Sequence, residues 1–199
     1  YDVAVPSMAM SGFFAQSFLT RDNYQDLLKD CFQTMKLFGS KVAFLPLGGS
    51  GKDWQQEGCA AYLQMVSRLR TAGEMAKQEG ITIGIRTGMG AKFDKKLLKK
   101  VGSSQIKVYY NFQDAADHHR DICKELRKLG AQRIVQIHAS NTDSVNLQED
   151  PEINLPKIRK TLDKMKWSGW LVVERSRDVK SIRDRKSTRL NSSHDDISY

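Results

Sequence analysis

No apolar run in the 199-residue chain approaches the ~18 residues that cross a bilayer, so the sequence predicts no membrane partner. Cysteine is scarce. Cys31, Cys59 and Cys123 are odd in number and far apart, which argues against a disulfide framework and a zinc knuckle and leaves them as core or near-core thiols. Acidic residues fall short of basic ones, 23 against 32, for a net charge of +9. The cations are scattered along one-sided segments without interleaved aromatics, so the sequence predicts no nucleic-acid partner. There is neither an initiator Met nor a charged-then-apolar leader at Tyr1. A targeting segment would lie upstream, and the compartment stays open.

At 40% hydrophobic, the composition is that of a soluble globular domain with one sizeable core. Tyr24, Leu27, Leu28, Cys31, Phe32, Met35 and Phe38 recur at helical spacing, with Asp22 placed to cap the start and Gly39 the end. Lys41 to Gly48 reads as a buried strand. A helix from about Ala60 to Glu79 stops at Gly80 and runs into a strand from Ile81 to Arg86. A short helix from Lys92 to Val101 leads through Gly102 into a strand from Ile106 to Asn111. Ala115, His119, Ile122, Leu126 and Leu129 mark a further helix, closed by Gly130 before a strand from Ile134 to His138. Pro156, Ile158, Leu162 and Met165 mark the last helix, which turns at Ser168 and Gly169 into a strand from Trp170 to Glu174. Val3 to Met10 reads as the end of one more strand.

Six strands thus alternate with five helices, and near-continuous apolar strands between one-sided helices imply a parallel sheet covered by helices. Four strands end in a polar side chain in step with the residue two before it: Arg86, Asn111, His138 and Glu174. A (β/α)8 TIM barrel assembles one site in this way from distant parts of a chain. A complete barrel needs ~250 residues, so the expected architecture is an incomplete one, with about six of eight units over residues 1–183. Its open sheet edges predict a chain that is either unstable or associates, as in a homo-oligomer. Residues 184–199 have no periodicity and resemble a translated adapter, so they are read as a non-native tail.

Three other patterns carry less. Gly48 to Lys52 looks like a phosphate loop, but Pro46 replaces its first glycine and Asp53 stands where Ser or Thr should follow. Gly88-Met-Gly90 completes no dinucleotide fingerprint and reads as a turn. Adjacent His118 and His119 point to different faces of a helix and cannot share one ion.

The strand ends around Gly84 to Arg86, Ile106 to Asn111, Ile137 to His138 and Gly169 to Glu174 resemble the xylose-isomerase-like barrel family, from its third strand to its eighth. That family includes sugar-phosphate isomerases and epimerases and apurinic-site endonucleases. The resemblance implies a small carbohydrate substrate and a divalent metal ion (Mn, Mg or Zn), held by Glu, Asp, His and Glu on strands five to eight. His138 and Glu174 keep two of those metal ligands, and Arg86 and Asn111 replace the other two. The expected function is isomerisation or epimerisation of a sugar or sugar phosphate by proton transfer next to a carbonyl, at a degenerate metal site. In this reading His138 and Glu174 exchange protons, Arg86 supplies the positive charge a metal would have given, and Asn111 holds a substrate hydroxyl. Ser140 and Asn141 in the loop after His138, and Arg177 beyond the last strand, are further substrate-binding candidates, while Asp143 shares that loop. The alternative is a metal-free carbohydrate-binding or lyase-type barrel without isomerase activity, in which Arg86 and Glu174 form a buried ion pair.

Overall fold

The computed structural model describes residues 3–47, 53–140, 147, 150–151 and 153–173. Its elements run β1 (Ser7–Ala9), α1 (Gly12–Ala15), α2 (Tyr24–Leu37), β2 (Val42–Pro46), α3 (Ala60–Gln78), β3 (Thr82–Arg86), α4 (Ala91–Val101), β4 (Ile106–Asn111), α5 (Phe112–Ala116), α6 (Ile122–Leu129), β5 (Ile134–Ala139), α7 (Leu155–Met165) and β6 (Trp170–Val173). The six strands form one sheet in chain order, every neighbouring pair parallel. In a flat sheet β1 and β5 would lie four strand spacings apart, about 19 Å. Yet Gln136 Nε2 on β5 donates to Ser7 Oγ on β1 at 3.0 Å. The sheet is therefore curled, an incomplete TIM barrel with β1 and β6 as its outer strands. No helix among the described residues is long and apolar enough to cross a membrane.

Strand alternation divides the sheet into two faces. Ile83, Ile85, Val108, Tyr110, Ile137 and Ala139 join the core beneath the helices, against Leu69, Ala72 and Ala76 of α3, Leu97 and Val101 of α4, and Leu126 and Leu129 of α6. On the concave face Phe44 and Tyr109 pack in a tilted pair with ring centroids 4.6 Å apart. Gly84 sits beneath them because nothing larger fits: a Cβ there would come within 2.9 Å of Val135 Cγ1 and 3.1 Å of Tyr109 Cβ.

Local signals fix the helix ends. Asp121 Oδ1 accepts from Lys124 N, Asn154 Oδ1 accepts from Lys157 N, and Gly102 closes α4 in the left-handed conformation. Some ends differ from expectation. At the start of α2 the flanking residue is Asn23 rather than Asp22, and its carboxamide takes Arg21 Nε instead of capping. Phe38 lies past the last turn of that helix, exposed rather than in the core. The helix expected across Ala115 to Leu129 is broken: α5 ends at Ala116, His119 reverses the chain at φ +50°, and Asp121 starts α6 afresh. His118 and His119 therefore occupy a turn and not a helix face. All three cysteines are free thiols, Cys123 buried and the other two half-buried. The basic residues are also less scattered than they look in sequence. Because α4, α6 and α7 are neighbours, exposed Lys95, Lys99, Lys124, Lys128, Lys160 and Lys164 share one flank, with no exposed aromatic on these helices.

Behind the ends of β3 and β4 lies a buried polar cluster. Thr87 Oγ1 donates to Asp94 Oδ1 at 2.5 Å and accepts from Met89 N, shaping the turn after β3. Glu125 Oε1 on α6 accepts from Ala91 N at the start of α4, where a carboxylate is favoured. Arg120 Nη2 donates to Gly88 O at 3.1 Å and to Asp114 O at 2.7 Å, tying the loop after β3 to α5. This inward turn of Arg120 is what the break between α5 and α6 makes possible. Burial pushes the Asp94 carboxyl up to about 7, against the stabilising Thr87 hydroxyl and Arg120, with Glu125 and Asp114 adding to the rise.

Two outcomes follow from this packing. Replacing Gly84 with Ala forces a methyl into the Val135–Tyr109 contact and lowers thermal stability by about 1–3 kcal/mol, read by thermal denaturation. Folded Asp94 keeps a proton that the unfolded chain has released between about pH 4 and 7, so this group's contribution to stability falls as pH rises through that window. Asp94→Asn removes that dependence: its melting temperature exceeds the parent's at pH 8, and the gap closes towards pH 4. A gap that is constant with pH would show that Asp94 does not titrate there.

Candidate active site

The carboxyl ends of β3, β4 and β5 bring three of the four strand-end candidates to one rim. Asn111 and His138 are register partners on adjacent strands, and Arg86 ends the strand on the other side of β4. Glu174, Asn141, Asp143 and Arg177 lie outside the described residues, as does the turn from Gly48 to Lys52.

Arg86 is held by a partner that the sequence did not single out. Its Nε and Nη2 donate to Asp114 Oδ2 and Oδ1 at 2.8 and 2.6 Å, a planar fork on a half-buried carboxylate. Asp114 occupies the first turn of α5, where Asn111 caps the helix. Asn111 Oδ1 accepts from Gln113 N at 2.8 Å, Asp114 N at 3.4 Å and the Ser140 hydroxyl at 2.7 Å. Its carbonyl is thus committed to the protein, and its buried Nδ2, without a hydrogen-bond partner among the described residues, is the donor it can offer a ligand. Ser140 is itself buried and spends its proton on Asn111. It supports the carboxamide, and its oxygen keeps acceptor capacity.

His138 is half-buried against two rings. Tyr109 meets it edge-on at 5.0 Å between centroids and Phe44 at 6.2 Å. Phe44 in turn meets Phe14, an exposed ring after β1, at 6.3 Å. The concave mouth therefore sets rings from α1, β2 and β4 beside polar groups at the ends of β3, β4 and β5. A cavity of about 20 Å³ behind the rim, lined by Arg86, Asp94, Tyr110, Asn111 and Asp114, is far too small for a sugar ring and has room for a single water. Burial pushes the Tyr110 phenol up, so it stays a neutral hydroxyl beside that cavity.

The divalent ion implied by the family resemblance can be tested against these groups. Hard cations need several oxygen or nitrogen donors with lone pairs to spare. Arg86 offers none, Asp114 has both oxygens in the fork, and Asn111 Oδ1 already takes three donors. Among the described residues no cluster of three His, Cys, Asp or Glu could hold a metal. Of the two family ligands kept, only His138 is described, and together with these groups it does not make a donor set for a tightly held ion.

Sequence reasoning missed Asp114, Arg120, Tyr109 and Phe44. For Asp114 a signal existed: Asn followed three residues later by an acid is a helix-start pattern, which places Asp114 beside Asn111. Nothing in the sequence links it to Arg86, 28 residues away.

Comparisons with known proteins agree with this architecture. The chain is 16% identical to an AP endonuclease, family 2, from Brucella melitensis, with a TM-score of 0.71 over 86% of this chain and 72% of that one. It is 15% identical to a sugar phosphate isomerase/epimerase from Parabacteroides distasonis ATCC 8503, with a TM-score of 0.69 over 90% of this chain and 65% of that one, just under two thirds. A probable 3-DHS dehydratase, AsbF, from Bacillus anthracis is 14% identical, with a TM-score of 0.74 over 96% of this chain and 76% of that one. At these identities the likeness shows the fold. No match was found among curated protein sequences. The family described as "Xylose isomerase-like TIM barrel" matches residues 1–192. Curled parallel sheet, polar strand ends and this match together make the chain a member of the xylose isomerase-like TIM barrel family.

Proposed function

We propose that the chain is a sugar or sugar-phosphate isomerase or epimerase acting by proton transfer next to a carbonyl. The observation that carries this reading is the convergence of Arg86, Asn111, Ser140 and His138 on one rim beside an aromatic wall. Glu174, one residue past β6, is the natural partner on the remaining strand. In the proposed reaction one of Glu174 and His138 removes the proton from the carbon beside the carbonyl, giving an enediolate. Arg86 and Asn111 Nδ2 donate hydrogen bonds to the oxygen on which charge develops. The other group of the pair returns a proton to the intermediate, on the opposite face for epimerisation, or at the neighbouring carbon for isomerisation while the hydroxyl proton passes from that carbon's oxygen to the former carbonyl oxygen. Asn141 and Arg177 are proposed substrate contacts, Arg177 towards a phosphate.

A second reading is a metal-free carbohydrate-binding or lyase-type barrel. The commitment of Asn111 Oδ1 to helix capping favours it, since that leaves one fewer acceptor for substrate hydroxyls. In either reading the partner is a small carbohydrate and not nucleic acid, the domain is read as residues 1–183 with residues 184–199 a non-native tail, and the single-sided edges of β1 and β6 support association of copies.

Incubation of the chain with ketoses and ketose phosphates in deuterated water separates these readings. Isomerase chemistry puts solvent deuterium on the carbon beside the carbonyl, and Glu174→Gln lowers that rate by about 10²–10⁴-fold with the melting temperature unchanged. Undiminished exchange in the variant removes Glu174 from the mechanism. Binding with no exchange supports the non-catalytic barrel, and an unsaturated elimination product supports the lyase.

A further inference from the structure

We propose that the Arg86–Asp114 pair stands in place of the family's divalent ion, that the chain works without one, and that Asp114 is the positioning residue that makes this possible. The inference rests on reading the rim as a sugar site. It adds what fills the ion's role and what holds it there.

An ion in such a barrel supplies fixed positive character at the substrate oxygen. A lone arginine is a poor substitute, because its long side chain has many conformers and loses entropy whenever it is pinned. Here the pinning is built in. Asp114 takes Nε and Nη2 in a two-point fork, which fixes the guanidinium plane as well as its position. Asp114 cannot drift, since its backbone is held from both ends: its N–H donates to Asn111 Oδ1, and its carbonyl accepts from Arg120 Nη2 and lies 2.8 Å from His118 Nδ1. Arg120 is anchored in turn on Gly88 O and beside Glu125 Oε2 at 3.5 Å. The held guanidinium thus ends a run of contacts that reaches back into α6.

The pair also explains why an ion is not held. Its cation sits on the strand end where the resemblance expects a carboxylate, and the nearby carboxylate is consumed by that cation. Exchanging both members frees the site: Arg86→Glu supplies an oxygen ligand, and Asp114→Asn avoids a like-charge neighbour beside the new glutamate.

The test needs no sugar, so it is independent of whether turnover is ever detected. Calorimetric titration of the full chain with Mn²⁺ gives no saturable binding, while the R86E/D114N double variant binds one ion and loses it when His138→Ala is added. One-to-one binding by the unaltered chain that His138→Ala abolishes overturns the proposal, and so does a folded double variant that takes up no ion. Positioning is read separately by nitrogen-15 NMR, whether or not the double variant folds. The Arg86 Nε–H signal is sharp and slow to exchange with solvent in the parent, collapses in Asp114→Asn, and returns in Asp114→Glu. A signal that is the same in the parent and in Asp114→Asn removes Asp114 from this role.

Discussion

Two parallel hydrogen bonds between Arg86 and Asp114 set the arrangement of the rim. They fix both the position and the plane of the guanidinium at the end of β3, and they give the carboxylate in the first turn of α5 its cation. With them, the ends of β3 and β4 become one unit to which Asn111, Ser140 and the Arg120 strap attach. The fork also takes both carboxylate oxygens of Asp114 away from any ion. The site is short of lone pairs.

The parallel sheet is the second constraint. Its two faces are chemically unlike because strand residues alternate: isoleucine, valine and alanine meet the helices, while glycine, aromatics and polar groups line the concavity. Gly84 shows how tight the inner face is, since it lets Tyr109 and Val135 close over β3. That closeness brings His138 against Tyr109 and Phe44 and gives the imidazole a rigid apolar backing.

Much of this was legible in the sequence. The strand Ile106–Asn111 was expected at the bounds it has, and β3 and β5 within one residue, because glycines or short turns bracket continuous apolar runs. Helix α3 was equally plain, its apolar face being long and regular. The break between α5 and α6 was not, because Ala115 to Leu129 keeps helical spacing across it. A tertiary contact decides the break: Arg120 gains two carbonyls by leaving the helix, and Asp121 is at hand to start another. The same limit applies to the site. Strand-end residues can be read from alternation, but pairing over long sequence separations, as between Arg86 and Asp114 or Ser7 and Gln136, exists only once the sheet has curled.

The Arg120 strap has a mechanical consequence. Because a single guanidinium nitrogen grips the main chain of both the turn after β3 and α5, an outward swing of either breaks a hydrogen bond to a half-buried cation. Opening that side of the mouth therefore costs at least one charge-assisted hydrogen bond. The opposite quadrant has a strap of its own, since Arg21 Nη1 donates to Gly12 O at 2.9 Å where α1 begins, two residues before the exposed Phe14, so an arginine-to-carbonyl bond ties the main chain on either side of the mouth.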